Sequence, residues 1–401
     1  MTDIGARAGG RVVTLDVVRG VAVMGILLAN LPGFALPAAA YTSPLPWGGI
    51  DLGDRIAWAL TYVLVEGKMR GLFSFLFGAS VLLVIERARA AGDDEAGVHF
   101  ARMTWLFLFG IAHLYLVWSG DILHHYAAIG AIAFLFRNLS VRALVIAGLC
   151  LVSVQVLLFV GITVTAFLLP GGGATEMFGT GDRGAMSAEI RAFRGGWLDN
   201  VAHNIANDAF TPIGLFLVGG FETLGYMLWG MAGLRSGMLT GAWPRARYLR
   251  WVRWTLPIGW AAYASLAWLV IARGFDGRYI AVASFGASTP LRPVLITGYA
   301  CVIVLAVRPG GWLTERVAAV GRAAFTNYLG TSVLMTFVFH GWGLGQFGRV
   351  GRAEMYWLAP LAWALMLLWS KPWLDRYRYG PLEWLWRSLA RLEWQPLQRQ
   401  R

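Results

Sequence analysis

Three ionisable side chains stand within five residues in GDILHHYAAIG, residues 120–130, where Asp121 precedes His124 by three positions and His125 by four. On a helix those spacings share a face, so the carboxylate can orient an imidazole as a general base. The same spacing also suits a plain helix cap at Asp121. A third histidine, His113, lies eleven residues after Arg102, just as Asn30 lies eleven after Arg19. At a rise of about 1.5 Å per residue each polar group sits roughly 16 Å from its arginine, so two helices running the same way hold an amide and an imidazole at one depth. Asp16 and Arg19, three apart, fit either a local ion pair or a site in which Arg19 meets a phosphate or carbonyl of a ligand. Glu222 in VGGFETLGYMLWG is a candidate proton-coupling or orienting group, whereas His340 beside Trp342 reads as an interfacial anchor.

The elements that must carry these residues are membrane helices. Of 401 residues 57% are hydrophobic and 14% charged, against about 25% charged in soluble domains. Apolar runs recur along the whole length, giving one all-α polytopic membrane domain over 1–401 with about ten transmembrane helices. The expected spans are 17–35, 69–86, 103–119, 122–136, 143–169, 213–234, 254–273, 289–307, 323–340 and 355–373. The first reads as ending at Pro32-Gly33. Arginines such as Arg7, Arg11, Arg87, Arg89, Arg137 and Arg142 crowd the amino terminus and the even-numbered connections, which places both termini in the cytoplasm of a bacterial-type inner membrane. Residues between the first two spans predict an outer loop and an interfacial helix ending in Glu66, Lys68 and Arg70. The 170–212 insertion, opening on Pro170 and three glycines, predicts one or two short helices on the outer face, and 374–401 predicts an amphipathic cytoplasmic tail with Pro381 in its first turn.

The net charge of +12 does not indicate nucleic acid, because the arginines sit between apolar runs. Cys150 and Cys301 both fall inside apolar runs and point to no disulfide framework and no metal site. Walker loops, nucleophile elbows, HExxH pairs and dinucleotide fingerprints do not occur. A cleavable signal peptide, a barrel pattern and an inverted repeat are not expected either.

The stretches TLDVVRGVAVMGILLANL, FSFLFGAS, GDILHHYAAIG, GRAAFTNYLGTSVLMTFVFHGWGLGQFG and RYGPLEWLWRSL resemble the YeiB family, domain of unknown function 418. That family is similar to a wider transmembrane acyltransferase group that includes lysosomal heparan-glucosaminide acetyltransferase. The resemblance implies acyl transfer from cytoplasmic acyl-CoA to an acceptor across the membrane. Leu15-Asp16, Arg19-Gly20 and Asn30 resemble the acid, base, glycine and active-site amide of that enzyme's first catalytic helix. Its histidine shortly after the amide has no counterpart, since 31–50 contains none; either another histidine substitutes, with His113 first by depth, or the chemistry is different or lost.

The expected function is therefore a membrane acyltransferase with a glycan or lipid acceptor. Arg19 with Asp16 serves the coenzyme A site, Asn30 binds the acyl carbonyl, and His113 or the Asp121–His124 pair removes the acceptor proton. A proton-coupled transporter or lipid-handling permease, using Glu222, His113 and Asp121, is the alternative, and a membrane scaffold a third.

Overall fold

The computed structural model describes residues 12–169 and 173–399. Arg7 and Arg11, the opening of the insertion at 170–172, and Arg401 lie outside them. The described residues are helical throughout, apart from turns and one isolated bridge between Tyr377 and Gln398. The first half contains α1 (Val13–Ala35), α2 (Leu52–Leu64), α3 (Lys68–Ala91), α4 (Glu95–Leu116), α5 (Leu123–Ala133) and α6 (Val141–Leu168). The insertion follows as α7 (Gly173–Thr175), α8 (Arg183–Arg194) and α9 (Trp197–Asp208). The second half runs α10 (Thr211–Arg235), α11 (Arg245–Ala272), α12 (Gly277–Ala281), α13 (Arg292–Ala306), α14 (Trp312–Arg322), α15 (Ala324–Phe339), α16 (Arg352–Met355), α17 (Leu358–Arg376) and α18 (Pro381–Arg391).

Each of the ten expected segments falls on one of these helices. Among the described residues five stretches are long and apolar enough to cross a membrane: Val13–Ala35, Leu52–Ala91 taken as one, Val141–Leu168, Thr211–Arg235 and Arg245–Ala272. The run in α6 is only 28% buried, and Leu149, Leu157 and Leu168 stand exposed on it. An uncovered helix that is apolar all round is the pattern of a helix facing lipid.

Local chemistry sets the boundaries. Asp94, Ser140 and Asp182 cap α4, α6 and α8 by accepting N–H bonds from Ala96, Ala143 and Ala185. Prolines occupy the first turns of α10, α13 and α18, where their missing N–H costs no helical bond. α1 continues through the expected stop at Pro32-Gly33 to Ala35, where the expected span 17–35 ends. Its last turn is held from outside, because Phe34 packs on Trp118 with centroids 3.9 Å apart and the Trp118 indole donates to the Gly33 carbonyl.

The core joins Leu15, Val18 and Ala22 of α1 to Leu72, Phe75 and Leu76 of α3 and Tyr226, Met227 and Met231 of α10. Two close backbone approaches fix that packing. A Cβ at Gly321 of α14 would lie 1.9 Å from the Asp16 carbonyl oxygen of α1, and one at Gly230 of α10 would lie 1.7 Å from that of Phe75 in α3. Only glycine permits helices so close.

The insertion is docked rather than loose. Phe193 of α8 stacks on the His340 ring at 4.7 Å, His340 Nδ1 bonds the Asn200 side-chain oxygen at 2.6 Å, and the Trp197 indole donates to the Leu116 carbonyl. His340 is thus buried at the end of α15 instead of anchoring an interface. Glu189 of α8 accepts the Ala38 N–H with both carboxylate oxygens, at 3.0 and 3.1 Å. Burial raises the pKa of this carboxyl to about 7, against a lowering by the Ala38 bond. Folding therefore favours the protonated acid: its stabilisation is full below the ordinary carboxyl range and is lost as pH rises through about 7. Hydrogen exchange at the Ala38 amide should accordingly become faster relative to its intrinsic rate between pH 5 and 8, and Glu189→Gln should abolish that dependence. An unchanged dependence in the variant would assign it to another group.

Candidate active site

At one end of the bundle α1, α3, α4, α14, α15 and α18 surround a cavity of about 630 Å³. Its wall carries six arginines, Arg19, Arg87, Arg102, Arg322, Arg378 and Arg387, against two carboxylates, Asp16 and Glu383. Both carboxylates are engaged. Asp16 pairs with Arg19 at 3.3 Å, and Glu383 accepts from the Phe325 and Thr326 amides and the Thr326 hydroxyl at 2.7, 3.1 and 2.6 Å. Arg19 also donates to Ser80 Oγ at 2.8 Å. Asp16 and Arg19 thus form the local ion pair, and both side chains line the cavity. The remaining surface is apolar, including Leu76, Phe77 and Leu106, with Trp386 and Tyr379 among the arginines. Arg102 lies 4.1 Å from the Trp386 ring and Arg387 4.7 Å from that of Tyr379. The amphipathic cytoplasmic tail expected over 374–401 contributes α18, which packs across α4 and α15.

A second cavity, of about 490 Å³, contains Asn30, Asp121, Arg70, Glu222 and Arg292 in its wall. Here Glu222 is held between two arginines: Arg70 pairs with one carboxylate oxygen, while Arg292 (2.9 Å) and the Tyr226 hydroxyl (2.7 Å) meet the other. Gln155 accepts the Glu222 N–H at 3.2 Å. Glu222 is thus a buried carboxylate with three side-chain partners, Arg70, Arg292 and Tyr226. The segment expected to end an interfacial helix at Glu66, Lys68 and Arg70 is drawn into the same region. Lys68 is fully buried, its ammonium donating to the Tyr62 carbonyl and lying 3.2 Å from the Tyr263 ring centroid. Arg70 and Arg292 have their partner 152 and 70 residues away, so no local spacing announces the cluster.

Beside this cavity, Asp121 receives two imidazoles. His113 Nδ1 lies 2.8 Å from Oδ1, His124 Nδ1 lies 2.9 Å from Oδ2, and the His124 amide adds a bond of 3.2 Å. A carboxylate only accepts, so both histidines carry a proton on Nδ1. Each Nε2 is buried and has no hydrogen-bond partner among the described residues. Two imidazoles are thus held in the tautomer a general base requires. The spacing offered His125 to Asp121 as readily as His124, but its Nε2 bonds Thr223 of α10 at 2.9 Å. Asn30 and His113 are linked rather than joined. Asn30 and Tyr328 line one small cavity, and the Tyr328 ring lies 5.6 Å from that of His113.

The two large cavities nearly meet. Asp121 and Ile122 line the second and the next residue, Leu123, lines the first; on α3, Arg70 belongs to one and Phe73 to the other. About one helical turn, roughly 5 Å, separates them along α3. The Asp121–His124 segment therefore lies where the two cavities approach each other.

The relatives of this chain cover nearly all of it. It is 33% identical over 394 residues to the uncharacterized protein YeiB of Escherichia coli (strain K12), spanning 95% of this chain and 96% of that one. The chain belongs to the YeiB family. The family model that matches, described as protein of unknown function (DUF418), covers residues 234–393. The uncharacterized protein YxaH of Bacillus subtilis (strain 168) is 31% identical over 400 residues, spanning 96% of each chain. Family membership therefore extends to the helices that carry Asn30, His113 and Asp121, which precede the segment matched by the family model.

Proposed function

We propose that the chain is an inner-membrane acyltransferase moving an acyl group from cytoplasmic acyl-CoA to a hydroxyl or amine of an extracytoplasmic glycan or lipid. The observation that carries this reading is the pair of imidazoles on Asp121, set in a thin layer between a basic amphipathic cavity and a second cavity. In this reading ten crossings place both termini and the arginine-lined mouth in the cytoplasm. The arginines neutralise the donor's phosphates, Tyr379 and Trp386 offer faces on which a base can stack, and the apolar wall accepts the pantetheine arm. Asn30 bonds the acyl carbonyl. The Nε2 of His113 or His124 takes the proton of the attacking acceptor and returns it to the departing sulfur.

The deciding experiment is acyl-CoA binding and turnover by the full chain in oriented vesicles. Inside-out vesicles should bind acyl-CoA, with affinity falling as salt rises, and right-side-out vesicles should not. Arg19→Ala or Arg387→Ala should each weaken binding about 10- to 100-fold, the range expected for one lost charged hydrogen bond. Unfolding temperature should remain close to wild type. Absence of binding in either orientation overturns the proposal. The opposed cavities also suit a carrier: binding without transfer, accompanied by proton-coupled uptake, would establish that reading instead.

A further inference from the structure

Between the two large cavities lies a third of about 10 Å³, room for a single water-sized group. Its wall is apolar except for Asn30, Tyr328, Thr331 and Ser332. Thr331 and Ser332 spend their hydroxyl protons on their own helix, at the Asn327 and Tyr328 carbonyls, 2.6 and 3.2 Å away. Tyr328 is different. Its side chain is buried, at 6% exposure, and although the Ile122 backbone N–H reaches its oxygen, its hydroxyl proton meets no acceptor among the described residues. The Asn30 side chain likewise makes no hydrogen bond within the described residues. Asn30 also lines the second large cavity, and Tyr328 the basic one. Leaving a buried polar group unpaired costs on the order of 1–3 kcal/mol, and such groups persist where a ligand completes them.

We infer that Asn30 and Tyr328 form a two-donor oxyanion site, with Tyr328 a catalytic residue not evident from sequence spacing. The inference rests on the acyl-transfer reading. A thioester in the basic cavity directs its carbonyl oxygen into the small cavity, where the Asn30 amide and the Tyr328 hydroxyl both donate to it. The acceptor oxygen or nitrogen bonds to the carbonyl carbon, an imidazole Nε2 takes the acceptor proton, and the carbonyl π-electrons move onto the oxygen. Collapse restores the carbonyl, breaks the carbon–sulfur bond and delivers the proton from the imidazolium to the leaving sulfur. Tyrosine keeps its proton throughout. The donors are already aimed at the oxygen's place in apolar surroundings, so their reorganisation cost is met by folding.

The test is Tyr328→Phe in the full-length protein, which retains the ring against His113. The expected result is a fall in kcat of about 10²–10³-fold, the range for one oxyanion donor, with the KM for acyl-CoA, the basic limb of the pH profile and the unfolding temperature unchanged. Asn30→Ala should lower kcat in the same range, providing a second readout should the Tyr328 variant unfold. Full kcat in folded Tyr328→Phe overturns the inference while leaving acyl transfer standing. A wild-type chain that binds acyl-CoA and transfers nothing overturns both, and the two failures are told apart by the wild-type assay alone.

Discussion

Asp121→Asn is expected to lower acyl transfer by on the order of 10²–10⁴-fold while the protein still inserts and binds acyl-CoA, the range contributed by a positioned general base. The carboxylate serves two donors, His113 Nδ1 and His124 Nδ1, one on each oxygen. A carboxamide has one accepting oxygen and one donating nitrogen. One histidine can keep its proton on Nδ1; the other must accept there, shifting its proton to Nε2 and losing its basic nitrogen. Comparing His113→Gln and His124→Gln identifies the acting ring: the variant whose loss matches that of Asp121→Asn contains the base. Rates at saturating donor, with unfolding temperature in detergent, provide the measurement. Full turnover in Asp121→Asn, His113→Gln and His124→Gln alike would exclude this cluster from the chemistry.

The second large effect concerns folding. Glu222→Gln should destabilise the protein by roughly 3–5 kcal/mol, the usual cost of leaving a buried charge without its partner. Glu222 is the carboxylate to which both Arg70 and Arg292 are paired. The glutamine is nearly isosteric, so packing is retained and the loss reports charge. Replacing Glu222, Arg70 and Arg292 together by methionine should recover much of the stability, because no buried charge is then stranded. Denaturant unfolding in detergent checks both variants. A wild-type midpoint for Glu222→Gln would mean that the arginines are satisfied by other groups.

These two clusters differ in how far the sequence reveals them. Asp121 and His124 are three apart, so any helix starting there brings them together, and the pairing was legible. His113 is eight residues before Asp121, across the turn between α4 and α5; helix rise gives its depth, but its approach to the carboxylate depends on how that turn folds back. Asn30 and Tyr328 belong to α1 and α15, and only the packing of those helices makes them neighbours. The Glu222 cluster was illegible for the same reason, and Lys68 and Arg70 were legible only as the end of an interfacial helix because hydropathy scores charges without their partners. Helices were the readable part, since an apolar run of span length has few other structures open to it in lipid. The end of α1 at Ala35 matches the expected span 17–35; what the sequence did not show is that Trp118, contributed by the α4–α5 turn, holds the turn after Pro32.

The two glycine contacts have a mechanical consequence. At Gly321 against Asp16 and at Gly230 against Phe75, backbone rests on backbone with no side chain between to act as a bearing. Helices packed through side chains can slide by exchanging rotamers; helices in direct main-chain contact move only by separating. Arg19 bonded to Ser80 ties the α1–α14 seam to the α3–α10 seam. The part of the bundle bearing Asp16, Arg19 and Ser80 is therefore a stator. Rocking one half of the bundle against the other, as a carrier does to expose one site to each side in turn, would have to break these seams. Under the proposed acyl-transfer reading, donor and acceptor come to this stationary layer from the two cavities, and the layer itself does not move.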